Sequence, residues 1–208
     1  MKIIEPSAEL VDEINPEQIS EQILLKLEVC GRVSHKSKPK QNFTGTIGST
    51  INFVSMLIKR GHESVLEHVS LTFKIVCDRA IMAELTRHRL ASFTVESTRY
   101  VKYDELTVIQ PPLKSDEAIV YFRCAMREHE RNYQTLIANG EPSEIARAVL
   151  PLCTATTLYM TANLREWRHV LKLRTDKAAH PQMRQIMNQI LAVFKEKLPV
   201  IVEDIDNA

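Results

Sequence analysis

Val69-Ser70-Leu71-Thr72-Phe73-Lys74-Ile75 alternates apolar and polar side chains without a fault. Successive residues of an extended chain point to opposite faces, so this period of two predicts a strand with one covered face. A helical pattern follows at once. Asp78 begins it, Ile81, Met82 and Leu85 form its apolar side, and its C-terminal end delivers Glu84, Arg87, His88 and Arg89.

Working outward, residues 1–5 read as a short edge strand. Pro16 to Val29 reads as a helix, with Asn15 as its cap, Pro16 in the first turn and Ile19, Ile23, Leu24 and Leu27 on one face. Cys30 to Phe43, rich in Lys, Ser and Gln and interrupted by Pro39, reads as an exposed loop. Ile47 to Arg60 is helical and Gly61 stops it. Downstream, Ser92 to Val101 reads as extended, with Tyr100-Val101 and Leu106 to Ile109 as short strands. Ser115 caps a long helix from Asp116 to Asn139, in which Ala118, Ile119, Phe122, Met126, Tyr133 and Leu136 are spaced for burial, and Gly140 ends it. Pro142 to Pro151 is a shorter helix and Cys153 to Ala162 a Thr-rich strand. Asn163 to Arg174 and the segment after Pro181 are amphipathic helices, and the acidic tail beyond Pro199 carries no reading of its own.

A chain of 208 residues suits one core and a single domain over 1–208, and 44% apolar with 25% charged residues is ordinary for a globular protein. With 27 basic and 26 acidic residues the net charge is +1, too weak a field to gather nucleic acid or a membrane surface. Any basic cluster therefore acts locally, on a small anion. No apolar run has the length of a signal peptide core or a membrane span, which points to the cytoplasm. Cys30, Cys77, Cys124 and Cys153 form no C-x-x-C pair, which argues against a zinc site and a disulfide framework. The first three lie in apolar patterns, as small core residues do. Cys153 is a conceivable nucleophile, but no His stands beside it in sequence to lower its pKa.

Two stretches concentrate chemistry. Arg87-His88-Arg89-Leu90-Ala91-Ser92-Phe93-Thr94-Val95-Glu96-Ser97-Thr98-Arg99-Tyr100 holds three arginines and several hydroxyls, the groups that grip a phosphate. The competing readings are a solvated basic turn and capping of the preceding helix dipole. Gly61-His62-Glu63-Ser64-Val65-Leu66-Glu67-His68 collects two His and two Glu. His62 and His68 do not share a helix face as an H-E-x-x-H pair does, so a metal is disfavoured against a capped turn. Elsewhere, Arg127-Glu128-His129-Glu130-Arg131 reads as a solvated, internally paired face. Arg147, close to Ile145, Val149 and Leu150, reads as a buried stem whose head needs a polar partner, an internal salt bridge being the plain alternative. Arg174 continues an apolar stripe, so its guanidinium has to be met.

Arg87-His88-Arg89, seven residues, then Ser97-Thr98-Arg99 resembles the signature of the flavin-dependent thymidylate synthases, the thymidylate synthase complementing protein family. The His62 to His68 block, the Pro142 to Pro151 block, and Asn163-Leu164-Arg165 with Leu173-Arg174-Thr175-Asp176 extend the likeness over nearly the whole chain. The resemblance implies an α/β (α+β) fold, a single compact domain with a mainly antiparallel sheet packed by helices, assembled as a homotetramer with shared sites. It implies reductive methylation of dUMP to dTMP, with FAD as cofactor, NADPH as reductant, 5,10-methylenetetrahydrofolate as carbon donor, and no metal. Among the residues, Glu84, Arg87, Glu96, Ser97, Thr98, Arg99, Arg147 and Arg174 would meet dUMP, Arg174 also helping to ionise the pyrimidine. His62, Ser64, Glu67, Arg87, His88, Arg89, Val95, Asn163, Arg165 and His169 would meet FAD.

Two departures stand out. Many relatives have an acid or amide where Val95 sits, and here the acid is Glu96; some have a His where this chain has Ala178, with His180 two places on. No G-x-G-x-x-G or P-loop is present, so no Rossmann-type dinucleotide site is expected. Rival readings are a ligand-binding protein without turnover and a nucleic-acid binder using the arginine cluster, which near-neutral charge and few aromatics weigh against.

Overall fold

The alternating segment becomes one of the two nine-residue strands of the main sheet. The structure, a computed structural model, describes residues 1–11, 16–34, 36 and 47–205. In chain order the elements are β1 (Lys2–Ile4), β2 (Ser7–Leu10), α1 (Pro16–Val33), α2 (Ile47–Lys59), a 3-10 turn (Glu63–His68), β3 (Ser70–Asp78), α3 (Arg79–Leu85), β4 (Ala91–Val95) and β5 (Thr107–Ile109). Then come α4 (Asp116–Ala138), α5 (Ser143–Ala146) with a 3-10 turn (Arg147–Val149), β6 (Ala155–Asn163), α6 (Leu164–Arg174), α7 (Pro181–Lys197) and a last 3-10 turn (Pro199–Ile201). The main sheet has the order β2-β3-β6-β4, antiparallel throughout, and β1 pairs with β5 in a separate parallel ribbon.

β3 and β6 run together for nine residues, from Ser70 opposite Asn163 to Asp78 opposite Ala155. Their inward residues, Leu71, Phe73, Ile75 and Cys77 against Leu158, Met160 and Ala162, meet Trp167, Met183, Ile186, Met187, Ile190 and Phe194 from α6 and α7. The Trp167 ring packs edge-on to Phe73 and its Nε1 donates to the Leu71 carbonyl at 3.0 Å, so the largest core side chain leaves no polar atom unsatisfied. At the far end of the sheet, Asp78 caps α3 by accepting from the Ile81 N–H and receives the Gln182 amide at 2.8 Å, tying α3 to α7. Among the described residues no helix is long and apolar enough to cross a membrane.

Several expectations need revision. α1 runs on through Cys30 to Val33 rather than ending before them, and Gly31 within it leaves room for Phe53 of α2: a Cβ there would lie 2.9 Å from Phe53 Cε1. β2 is an additional strand. Arg87, His88 and Arg89 lie beyond the end of α3, whose last residue is Leu85. Tyr100-Val101 is no strand; both N–H groups turn back to the Ser97 carbonyl. Of the long helix only Met126 and Tyr133 are buried, and Cys124 is exposed. Within its charged run, Glu130 accepts from the Leu106 N–H and His129 Nδ1 lies 2.8 Å from the Val149 carbonyl, so two of those residues serve packing. The Asn15 cap and residues 37–46 lie outside the described residues, as does the Ile19 side chain. Gly61, at φ +71°, ends α2 as expected, and Ser115 caps α4 by accepting from the Ala118 N–H.

Candidate active site

α6 is the beam on which the site residues hang. Asn163 caps it, accepting from the Glu166 N–H at 2.9 Å, so this side chain is turned to its own helix. Arg165, two residues on, is exposed and pairs with Glu67 of the first 3-10 turn. His62, Ser64, Glu67 and Arg165 all line one open cavity of about 720 Å³, together with Cys30, Gly31 and His68. Four of the residues expected at a flavin are thus neighbours.

At the C-terminal end of α6, Arg174 is held from two sides. Its Nη1 donates to Glu84 Oε2 at 3.1 Å and its Nη2 reaches the Glu84 carbonyl at 3.5 Å, while Nε donates to His88 Nε2 at 3.1 Å. A guanidinium has five N–H donors; three are occupied here, leaving a pair on the two terminal nitrogens. His88 is buried, and burial, then Arg174, then His169, push its imidazole down to about 4. Glu166 lies on the other side of that ring, and burial raises its carboxyl although the exposed His169 pulls it down. His88, Glu166 and His169 bring three potential ligand atoms within 4.8 Å of one another, a grouping that the sequence did not single out.

Arg87 and Arg89 flank His88 differently. Both are exposed, and neither has an ion-pair partner among the described residues. The nucleotide-side residues form a third group. Val95 turns its side chain onto the main core with Ala91 and Phe93, because alternate residues of β4 face inward; its side chain is turned away from any ligand on the outer face. Glu96 is the acid that stays available, oriented by the Tyr103 hydroxyl, which donates to Oε1 at 2.6 Å, while Arg79 donates to its carbonyl at 3.1 Å. Burial, with Glu96 beside it, pushes the Tyr103 phenol up to about 12, so it remains a donor. Ser97 closes the turn, accepting from the Arg99 N–H at 3.3 Å. Thr98 is buried and its hydroxyl takes a bond from Arg147 Nη1 at 3.3 Å.

Arg147 is exposed rather than buried, because the helix tightens to a 3-10 turn there and rotates it outward. Its Nε donates to the Glu144 carbonyl, and it has no carboxylate partner among the described residues. Arg99 pairs loosely with Glu144 at 3.3 Å on the surface. The Cys153 thiol is half-buried against Met126, and burial pushes it up to about 11, which makes it a poor nucleophile.

The cluster that braces the first 3-10 turn is not visible in local sequence pattern. Arg168, 2% exposed, donates to Glu63 at 3.0 Å, to Asp204 at 2.8 Å and to the Ile201 carbonyl. Lys172 adds a 2.7 Å contact to Asp204, whose carboxyl is held far below the usual range, chiefly by Arg168. In sequence Arg168 is one of several charged residues of α6, and nothing local sets it apart from Arg165, Lys172 or Arg174.

Comparison with known proteins places this geometry. Residues 10–200 match the model of the thymidylate synthase complementing protein family. A probable flavin-dependent thymidylate synthase of Mycobacterium phage L5 is 30% identical over 191 residues, 85% of this chain and 76% of that protein. The flavin-dependent thymidylate synthase of Halobacterium salinarum is 33% identical, covering 74% of each. The crystal structure of a UMP/dUMP methylase, PolB from Streptomyces cacaoi, bound with 5-Br dUMP, superimposes with a TM-score of 0.75 at 25% identity, over 98% of this chain and 96% of that one.

Proposed function

The chain belongs to the thymidylate synthase complementing protein family, and from that membership we propose that it is a flavin-dependent thymidylate synthase. It converts dUMP to dTMP by reductive methylation, with 5,10-methylenetetrahydrofolate as carbon donor and NADPH as reductant. Bound FAD supplies the hydride, which no side chain can provide. The donor set fits such a group: a cavity of about 720 Å³ is lined by His62, Ser64, Glu67 and Arg165, and Arg87 and Arg89 offer unneutralised guanidiniums.

The observation that carries the reading is Arg174. Fixed by Glu84 and His88, it keeps two N–H groups for a ligand. A cation held there favours the ionised form of a pyrimidine N–H and makes the ring carbon more nucleophilic. Arg99 and Arg147, with the Thr98 hydroxyl between them, bind the phosphate, and Glu96 orients the nucleotide. Pre-positioned charge takes the place of an enzyme thiol, in keeping with the inert Cys153.

A homotetramer with shared sites is part of the proposal. Its support is that Leu90 and Tyr100, in the arginine segment, are 75% and 80% exposed, as expected where a second subunit completes a site. A single domain over residues 1–208 is supported by one main core drawing on residues from Ala8 to Ile205. A cytoplasmic location suits four free thiols.

The test is an absorbance spectrum with added FAD, then anaerobic NADPH with and without dUMP, then product analysis with the folate. Flavin that binds and bleaches faster with dUMP present is the expected result. A protein that takes up no flavin overturns the reading.

A further inference from the structure

Glu166 has so far been given no task, yet its side chain is only 8% exposed and its Oε1 lies 3.6 Å from His88 Nδ1. Across the same ring, Arg174 Nε stands 3.1 Å from His88 Nε2. A guanidinium offers donors only and keeps its proton at every accessible pH. Arg174 therefore favours a lone pair on the nitrogen facing it, and the carboxylate opposite favours an N–H on the other. A second ring proton would set a buried cation against Arg174, and both burial and Arg174 oppose it. One proton remains, and it belongs on Nδ1, facing the carboxylate.

We propose that Glu166 is a positioning residue that fixes His88 in its Nδ1–H tautomer, and that His88 so fixed holds the Arg174 guanidinium in place for the substrate; the second half rests on the synthase reading of Arg174. The logic is that of a carboxylate behind an imidazole, where the partner of one nitrogen decides what the other can do. In the opposite tautomer His88 Nε2–H would point at the Arg174 Nε–H, donor against donor. The guanidinium would lose one of its three anchors and turn away from the direction that Glu84 and His88 together impose. His169, 6.0 Å from His88 ring to ring and exposed, does not compete for the Nδ1 proton as a buried carboxylate does.

The experiment is a long-range proton–nitrogen NMR spectrum of the full chain labelled in its seven histidines, with His88 identified by its loss in His88→Gln. His88 is expected to show a protonated Nδ1 and an unprotonated Nε2. Glu166→Gln keeps an acceptor oxygen and should retain both the tautomer and most of kcat. Glu166→Leu removes the acceptor; a mixed or inverted tautomer should appear, with kcat reduced about 10- to 100-fold, the range for groups that orient a functional histidine from behind. A wild-type spectrum with Nε2 protonated, or with both nitrogens protonated, overturns the proposal even if no variant folds. So does a Glu166→Leu protein with unchanged tautomer and kcat. A wild-type protein that makes no thymidylate overturns the synthase reading and with it the task of Arg174, while the spectrum still decides the Glu166–His88 assignment.

Discussion

Arg168 and Arg147 show two uses of the same side chain. Around Arg168, within the helix, every direction is answered: Glu63 comes from the turn before β3, Asp204 and the Ile201 carbonyl from the C-terminal segment, and 2% of the side chain meets solvent. Around Arg147, with Arg87 and Arg89, the guanidiniums face outward, and among the described residues none has a carboxylate to neutralise it. Desolvating a guanidinium is costly, so a buried one is kept only where its partners are fixed. The unneutralised charge of Arg147, beside the buried Thr98 hydroxyl, is what the proposed function assigns to the phosphate. Arg168 is saturated on every side, whereas the arginines proposed to meet a ligand keep donors open, Arg174 among them although Glu84 and His88 hold it.

The strongest way to break that contrast is Arg168→Ala. It leaves two carboxylates facing each other and a void in the wall of the core, and a loss of about 3 kcal/mol is expected, at the low end for a broken buried pair because Glu63 and Asp204 can turn to water. Urea unfolding measures it. The affinity for FAD should fall as well, since Glu63 sits between His62 and Ser64. An unchanged midpoint would mean that saturation is no guide to structural work.

A pH series sharpens the same point. The carboxyl of Asp204 is depressed in the folded chain, so its contribution is present above the normal carboxylate range and disappears as the pH falls through the folded value. Stability should decline steeply below about pH 4, and Asp204→Asn should flatten that part of the curve. Equal slopes in the two proteins would remove Asp204 from the account.

The next effect in size belongs to the open arginines. Arg147→Ala should weaken dUMP binding by about 10- to 100-fold, the equivalent of one charge-assisted bond, while stability shifts by no more than about 0.5 kcal/mol. Isothermal titration and urea unfolding of the same preparation separate the two. A stability loss larger than the binding loss would make Arg147 another Arg168.

How much of this was legible depends on the range of the interaction. β3, α6, α7 and the caps at Asp78 and Ser115 follow from local patterns, since a period of two or a side-chain cap is contained within a few residues. The arginine signature pointed to the family that the comparison shows, and residues of the Gly61 to His68 block line one cavity. Arg168 was not, because its partners lie 105 and 36 residues away. Glu166 was hidden in a helix whose apolar stripe drew the eye. Arg147 is exposed against its local pattern because apolar neighbours in sequence bury a residue only if the helix continues, and here it tightens. Val95 was ambiguous until β4 showed which of its faces met the core.

The smallest effect is the most discriminating. Arg99 donates from Nε and Nη2 to one oxygen of Glu144, at 3.4 and 3.3 Å, with both side chains about half exposed. Such a pair contributes roughly 0–1 kcal/mol, so Glu144→Gln should leave stability nearly unchanged. A phosphate that binds Arg99 must first displace that carboxylate. Removing its charge should therefore leave dUMP affinity equal or about two- to threefold tighter at low salt, a gain that fades as added salt screens the charge. The sign is opposite to that of Arg147→Ala, although the two residues stand three apart. If affinity falls instead, Glu144 contacts the nucleotide itself, and the Arg99 pair belongs with the saturated arginines.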